Sequence, residues 1–348
     1  MLTTAFPKIT VGLDVGDRQS RTCEIDASAQ VVREAVVSTT TAAIAGYFAE
    51  REPCRVVLEA GTHSPWISRQ IERLGHEVIV GNPARMYPHK RRKNDRRDAS
   101  FMARQGRADP ELLCPIRHRS AHAQEHLELL RARNQVVSVR TKLINHVRSA
   151  VKTAGARVGS SSAESFALRA RSQIPPELRG ALQPILSMIL GTNEQIDALD
   201  REVSQVAREY PELSRLQQIP GVGELTSLAY VLLVEDPSRF ERSRDVGPFF
   251  GLVPRLDQSS DSSPQLRISK AGDVMGRRLL ISAAHYILGP HGRPCDLRRY
   301  GEAIAARGGT NAKKRAVVAV ARKLSVLLHK LWVSGATYDP DRQLKRQV

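Results

Sequence analysis

The chain has 348 residues, 41% of them hydrophobic, which suits two or three domains with sizeable cores. Lysine and arginine outnumber aspartate and glutamate by 53 to 36, a formal net charge of +17, so a polyanion is the expected partner. Aromatics at 5% are too few for a base-stacking platform, and no apolar run reaches the roughly eighteen residues of a membrane span, which leaves phosphate contact and duplex shape.

Along the chain, Lys8 to Val15 reads as an apolar strand ending in a Gly-rich turn, followed by short strands at Arg21–Asp26 and Val31–Ser38. Thr41–Arg51 is helical, Arg55–Glu59 is a buried-type strand, Pro65–Leu74 a helix and Glu77–Val80 a fifth strand. Three meandering strands followed by strand–helix alternation predict an α/β domain with a mixed sheet. From Arg85 to Arg107 the chain turns strongly basic, with two aspartates inside the run. A long helix is predicted from Ser120 to about Gly155, where Leu130, Val137, Ile144 and Val151 recur every seven residues. A second runs from about Ala181 to Tyr210, with Leu182, Ile189, Ile196 and Val203 in the same rhythm. This is a coiled-coil pattern, satisfied by an intramolecular hairpin connected near Gly159–Glu164 or by dimerisation. The remainder is mostly helical, interrupted by a Ser- and Asp-rich loop between Gly251 and Gly272, and its last helix is Lys313–Trp332. The cysteines, Cys23, Cys54, Cys114 and Cys295, form no CxxC pair, which argues against a zinc site or a disulfide framework and fits a reducing cytoplasm. The N-terminus lacks the basic, apolar and small-residue succession of a signal peptide.

Four carboxylates form the first candidate site. Asp14 ends a strand in ITVGLDVGD and Glu59 ends another in RVVLEAG, both at exit ends where ligands bind in open sheets. Asp95 and Asp98 follow in NDRRDA; if that segment is helical, their spacing puts both on one face. Converging carboxylates repel one another, and a hard divalent cation such as Mg²⁺ relieves the conflict while activating a phosphodiester. Taken singly, Asp14 could be a turn residue, Glu59 a strand end, and the Asp pair partners of neighbouring arginines. GLDVG also occurs in the ATP-binding domains of sugar kinases and actin-like proteins, but the second phosphate loop and adenosine site those require are missing.

Two further motifs lie near the C-terminus. IPGVG at Ile219–Gly223 before a helical segment reads as a helix–hairpin–helix turn, with Gly221 and Gly223 opening backbone N–H groups to a DNA phosphate. In GLVPRLDQSSDSSPQLRISKAGD, two serine pairs precede Arg267 and Lys270; a serine needs positioning and deprotonation to act as a nucleophile, and on local chemistry alone such a loop is a solvated linker.

These segments together resemble the DEDD transposases of the IS110 insertion-sequence family over nearly the whole chain. VGLDVGD, VVLEAG and NDRRDA match its RuvC-like, RNase H-type domain. IPGVGELTS, FFGLVPR, the serine loop, RISKAGD and KRAVVAVARKL match its C-terminal transposase domain. The resemblance implies a RuvC-like catalytic domain at 1–115, a coiled-coil region at 116–212 and a serine-bearing helical domain at 213–348. It implies that Asp14, Glu59, Asp95 and Asp98 bind Mg²⁺. It also implies a serine nucleophile that links covalently to DNA: Ser259 by position, or Ser260, since the loop lacks the glycine that often follows the family's serine pair. Further implications are donor and target DNA, a structured noncoding guide RNA (a bridge RNA) and a bacterial, nucleoid-associated cytoplasmic location. Arg91, Arg92, Lys93, Arg96, Arg97, Gly221, Gly223, Arg267 and Lys270 are the candidate nucleic-acid contacts, and a homodimer or tetramer is expected. The rivals are a junction-resolving nuclease using the carboxylates alone and a nonenzymatic nucleic-acid-binding protein.

Overall fold

The computed structural model describes residues 7–86, 95–255, 266–309 and 311–342, and at 84, 85, 95 and 96 the backbone alone. The chain divides into two units, Met1–Arg119 and Ser120–Val348.

In the first unit the apolar runs become β1 (Thr10–Asp14), β2 (Gln19–Ile25), β3 (Val31–Ser38), β4 (Arg55–Glu59) and β5 (Glu77–Gly81), arranged β3-β2-β1-β4-β5. The first three pair antiparallel; β4 joins β1, and β5 joins β4, in parallel. The sheet is therefore mixed, as the alternation of elements predicts. Side chains alternate between faces with period two. Val11, Leu13, Val56 and Leu58 point to one face, where Ile44 and Phe48 of α1 (Thr41–Ala49) and Ile67 and Ile71 of α2 (Ser64–Arg73) cover them. The opposite face receives α4 (Asp95–Ala108), after the single turn α3 (Pro83–Met86).

The segment containing NDRRDA is thus helical, and its packing rests on small residues. Ala99, Met102, Ala103 and Gly106 are buried at helical spacing. A methyl added at Gly12 would overlap the Ala99 carbonyl oxygen, and one added at Gly106 would overlap Val57. The helix therefore lies directly on the backbone of β1. It runs antiparallel to that strand: Ala99 covers Gly12, and Arg107 donates to the Pro7 carbonyl at 3.1 Å and to Thr10 Oγ1 at 3.4 Å.

The second unit is helical among the described residues. Its two long helices are α5 (Ala121–Thr153) and α7 (Pro176–Ala207), with α6 (Phe166–Arg171) between them. α7 starts earlier than the apolar repeat suggests because Pro175 and Pro176 open it, a role that proline's fixed φ suits. The helices run antiparallel and meet in two separate apolar clusters. Ile144, Val147 and Val151 pack with Leu182, Leu186 and Ile189, while Ala123, Leu127 and Leu130 pack with Val203 and Ala207. Between the clusters, where Ile196 is buried, polar links also join the elements: Arg133 is paired with Asp200, and the buried Arg140 donates to Asn193 Oδ1 at 2.9 Å and pairs with Glu164 at 3.2 Å.

The rest of the unit comprises α8 (Leu213–Leu216), α9 (Glu224–Val234), α10 (Val246–Phe249), α11 (Val274–Leu288), α12 (Asp296–Ala305) and α13 (Ala312–Ser334). Every residue from Leu228 to Val234 is buried, so α9 is the unit's central helix, apolar on all sides. Burying each of its large side chains contributes roughly 1.5–3 kcal/mol. The Tyr230 hydroxyl, fully inside, is satisfied by the Ser325 carbonyl at 2.8 Å, and burial drives its pKa well above the usual tyrosine value. No helix of the described residues is long and apolar enough to cross a membrane.

Candidate active site

The site is built on the period-two alternation of β1 and β4. Gly12 and Val57 face α4, so Asp14, two residues beyond Gly12, and Glu59, two beyond Val57, project from that same face. The strands are parallel and paired through Leu13 and Leu58, which sets the two carboxylates side by side at the exit ends. Both are half-buried. Because α4 is antiparallel to β1, its N-terminal end points towards those exits. Asp98 precedes Ala99, the residue seated on Gly12, and Asp95 begins the helix one turn earlier. The strand Asp, the strand Glu and the helical DxxD segment are therefore brought to one end of one sheet face. The side chain of Asp95 lies outside the described residues.

A cleft of about 330 Å³ opens there, walled by Asp14, Val15, Asp17, Glu59 and residues 60–64. Asp98 is half-buried and is not among its walls. His63 and Asp17 were not singled out by sequence. They face each other across the cleft, His63 Nε2 lying 3.4 Å from Asp17 Oδ1, while the Trp66 indole N–H donates to His63 Nδ1 at 3.2 Å. Beneath them, Ser64 Oγ donates to the Gly61 carbonyl at 2.8 Å and accepts from the Gly61 amide at 2.9 Å, closing the turn after β4. His118 Nε2 lies 2.9 Å from the same oxygen. Burial, then the positive charges of Arg69 and Arg119, push the His118 pKa below the usual histidine value. The neutral ring with its proton on Nε2 completes the serine's hydrogen bonding. No local sequence signal marks this bracing, since His118 joins Ser64 from 54 residues away.

The donor set suits a hard divalent cation: carboxylate oxygens from adjacent strand ends, with the positive end of a helix dipole beside them to receive phosphate. Of the basic candidates, Arg97 is exposed on the first turn of α4. Arg91, Arg92 and Lys93, and the side chain of Arg96, lie outside the described residues.

In the second unit, Ile219–Gly223 forms a tight turn between α8 and α9. Ile219 and Val222 are buried, and Gly221, at φ +84°, backs onto Ala283 and Tyr286 of α11. Gly223 caps α9 without a side chain, is exposed, and has open space where a Cβ would stand. Ser259 and Ser260 lie outside the described residues, but the base of their loop is defined. Pro254 bridges Ile268, the Arg255 amide donates to the Arg267 carbonyl at 3.0 Å, and the Ser269 amide donates to Val253 at 2.8 Å. Below this neck the buried Arg277 donates to the carbonyls of Phe250 at 3.2 Å and Ala271 at 3.0 Å, fastening both arms. Arg267 and Lys270 are exposed on the second arm. Arg277 escaped the sequence reading because its partners are main-chain atoms.

Comparison with known proteins connects the two regions. A family model for transposases of the DEDD type, IS110 group, matches residues 11–155, and one described as the transposase IS116/IS110/IS902 family matches residues 213–300. A transposase for insertion sequence element IS1111A from Coxiella burnetii is 30% identical, over 94% of this chain and 90% of its own length. A putative transposase from Sinorhizobium fredii is 29% identical, over 84% of this chain and 76% of its own length. A pilin gene-inverting protein from Moraxella lacunata is 24% identical, over 76% and 75%.

Proposed function

The chain belongs to the IS116/IS110/IS902 family of transposases, DNA transposases and recombinases, and from that premise we propose that it cleaves and rejoins DNA with the carboxylates of the first unit and a serine of the second. The observation that carries the reading is the side-by-side placement of Asp14 and Glu59 on the face of the sheet that α4 covers.

In this reading the first unit is an RNase H-type, RuvC-like domain. Asp14, Glu59, Asp95 and Asp98 are the residues that would hold Mg²⁺. The bound cation supplies charge neutralisation and Lewis acidity at a phosphate oxygen. The protein's own part is positional: β1 and β4 fix two carboxylates, Gly12 allows α4 to bring the other two to the same strand ends, and the His118–Ser64 contact braces the turn after Glu59. Ser259, or Ser260 one residue on, attacks the scissile phosphorus through its hydroxyl oxygen. A serine–phosphate ester bond forms as a phosphorus–deoxyribose oxygen bond breaks; the serine proton passes to a base and the leaving oxygen gains one. No water enters, so attack on the serine ester by a DNA hydroxyl restores a phosphodiester and rejoins strands.

The antiparallel pair α5 and α7 is read as a coiled-coil hairpin that lies in sequence between the carboxylate and serine domains, and as a surface for self-association. Sequence choice is assigned to a structured noncoding RNA, with the protein supplying phosphate contacts from the basic stretches 85–107 and 117–152, so that pairing carries the specificity.

The test is strand cleavage of end-labelled DNA, with the RNA encoded beside the element and Mg²⁺, resolved on a denaturing gel. Asp14→Asn and Glu59→Gln are expected to abolish cleavage while the variants stay folded and bind nucleic acid. Ser259→Ala is expected to remove a covalent protein–DNA band. Cleavage by Asp14→Asn at the wild-type rate would end the carboxylate assignment. A band that survives Ser259→Ala but not Ser260→Ala moves the nucleophile one residue, and cleavage without any band favours a nuclease that uses the carboxylates alone.

A further inference from the structure

The start of the second unit carries a cluster that the proposed DNA chemistry does not use. His122 and His126 stand four residues apart in the opening turns of α5, a spacing that puts both rings on one helix face, and their centroids are 4.2 Å apart. Because α7 returns antiparallel, the residues just past its end arrive beside them. Glu209 Oε2 lies 3.3 Å from His122 Nε2, and one donor atom from each of the three residues lies within 4.8 Å of the other two. Tyr210 supports the second ring, with its hydroxyl 2.8 Å from His126 Nδ1.

We propose that His122, His126 and Glu209 bind a borderline divalent cation, zinc foremost, at a site chemically distinct from the Asp14–Glu59 cleft. Two imidazole nitrogens and one carboxylate oxygen are a donor set that zinc takes with a fourth position left to water, whereas magnesium prefers an all-oxygen shell. The outer contact is also supplied. A ligating histidine donates its second ring N–H to a fixed acceptor, and the Tyr210 hydroxyl stands in that place at Nδ1 of His126.

Local charge points the same way. In a chain of net charge +17, the carboxylates of Glu209, Glu212 and Glu235 gather near Tyr210, beside the two rings. The cluster is therefore a locally acidic spot on a basic protein. His122 and Glu209 are exposed, so an ion can reach them, and the contraction to metal-bond distances falls on those two side chains. Ligands from the start of α5 and from beyond the end of α7 would make the ion a staple across the open end of the helix pair. Its binding free energy would then add to the stability of that end.

The experiment is calorimetric titration of the chelator-treated full-length chain with zinc chloride in excess Mg²⁺, so that carboxylate-only sites are occupied. One tight equivalent is expected. Replacing a ligand in His126→Gln or Glu209→Gln should weaken it by about 100-fold or more, and Tyr210→Phe, which keeps the packing and removes only the acceptor, by about tenfold. Zinc should raise the melting temperature of the wild type and not that of Glu209→Gln. Cobalt in place of zinc should give visible ligand-field bands without a thiolate charge-transfer band, which separates this site from capture by a cysteine. The proposal falls if the wild type takes up no zinc, if Glu209→Gln and Tyr210→Phe keep the wild-type isotherm, or if the thiolate band appears. Those two variants decide the matter should His126→Gln fail to fold.

Discussion

Gly12 shows how much of the candidate site rests on a missing side chain. In a strand interior, glycine is ordinarily weaker than alanine by roughly 0.5–1 kcal/mol, so Gly→Ala at an open position stabilises. Here the added methyl would meet the carbonyl oxygen of Ala99 and the amide nitrogen of Ala103, both main-chain atoms with no rotamer to yield. Gly12→Ala is therefore expected to destabilise the chain by about 1–3 kcal/mol, the usual cost of overpacking, and to lift the N-terminal end of α4 from the strand ends. Urea unfolding should show the midpoint lowered with its slope unchanged, and DNA cleavage should fall although no carboxylate has been altered. A midpoint at or above that of the wild type would mean that α4 does not press on Gly12. The sequence shows this glycine between Val11 and Leu13 but not what opposes it, because the contact is with a helix some ninety residues away.

At the scale of elements, legibility followed the size of the buried side chains. β4 stands on the residues read for it because the run RVVLE advertises a buried strand, β3 does so although Val37 alone of its residues is buried, and the seven-residue rhythm of α5 and α7 identifies the long helices. α4 was readable as a basic segment with two aspartates but not as a core helix, since its buried stripe is Ala99, Met102, Ala103 and Gly106 among arginines. The six residues of α6 are too few to show a period. The neck of the serine loop has no local signature at all, being made by main-chain pairing of residues 253–255 with 267–269. Arg277 holds that neck, and replacing it by methionine keeps the side-chain length while leaving the Phe250 and Ala271 carbonyls without their donor. The Phe250 carbonyl is the buried one of the two, and leaving it unsatisfied costs roughly 1–3 kcal/mol. In Arg277→Met, hydrogen exchange at the Arg255 and Ser269 amides should accelerate by about tenfold or more, the equivalent of about 1.4 kcal/mol in local opening. The yield of covalent DNA adduct should drop with it, and Arg277→Lys should recover part of both. Unchanged exchange at those two amides would show that the neck stands without the guanidinium.

For the whole molecule the governing quantity is the excess of 17 positive charges, together with where it is concentrated. Carboxylates are gathered at the exit ends of β1 and β4, where a phosphate backbone would be repelled unless cations flank it. The run from Arg85 to Arg107 takes in nearly all of α4, whose first turn carries Asp95 and Asp98, so the densest basic stretch and the acidic site share one segment. The positive dipole end of that helix adds to the same field. If this run delivers nucleic acid to the carboxylates, its cations neutralise phosphates, and each phosphate neutralised releases condensed counterions on binding. Replacing Arg91, Arg92 and Lys93 together by glutamine should then weaken binding and flatten the dependence of log affinity on log salt. Each phosphate left without its cation takes roughly 0.9 from the slope on duplex DNA and roughly 0.7 on single strands, so the triple variant should lower it by about 2–3. Because phosphate pairing carries no base information, affinity should fall by the same factor on matched and mismatched DNA. An unchanged slope would assign the run to a solvated face and shift the search for the nucleic-acid surface to the basic helix α5. A decrease confined to the matched DNA would mean that the segment reads bases rather than phosphates.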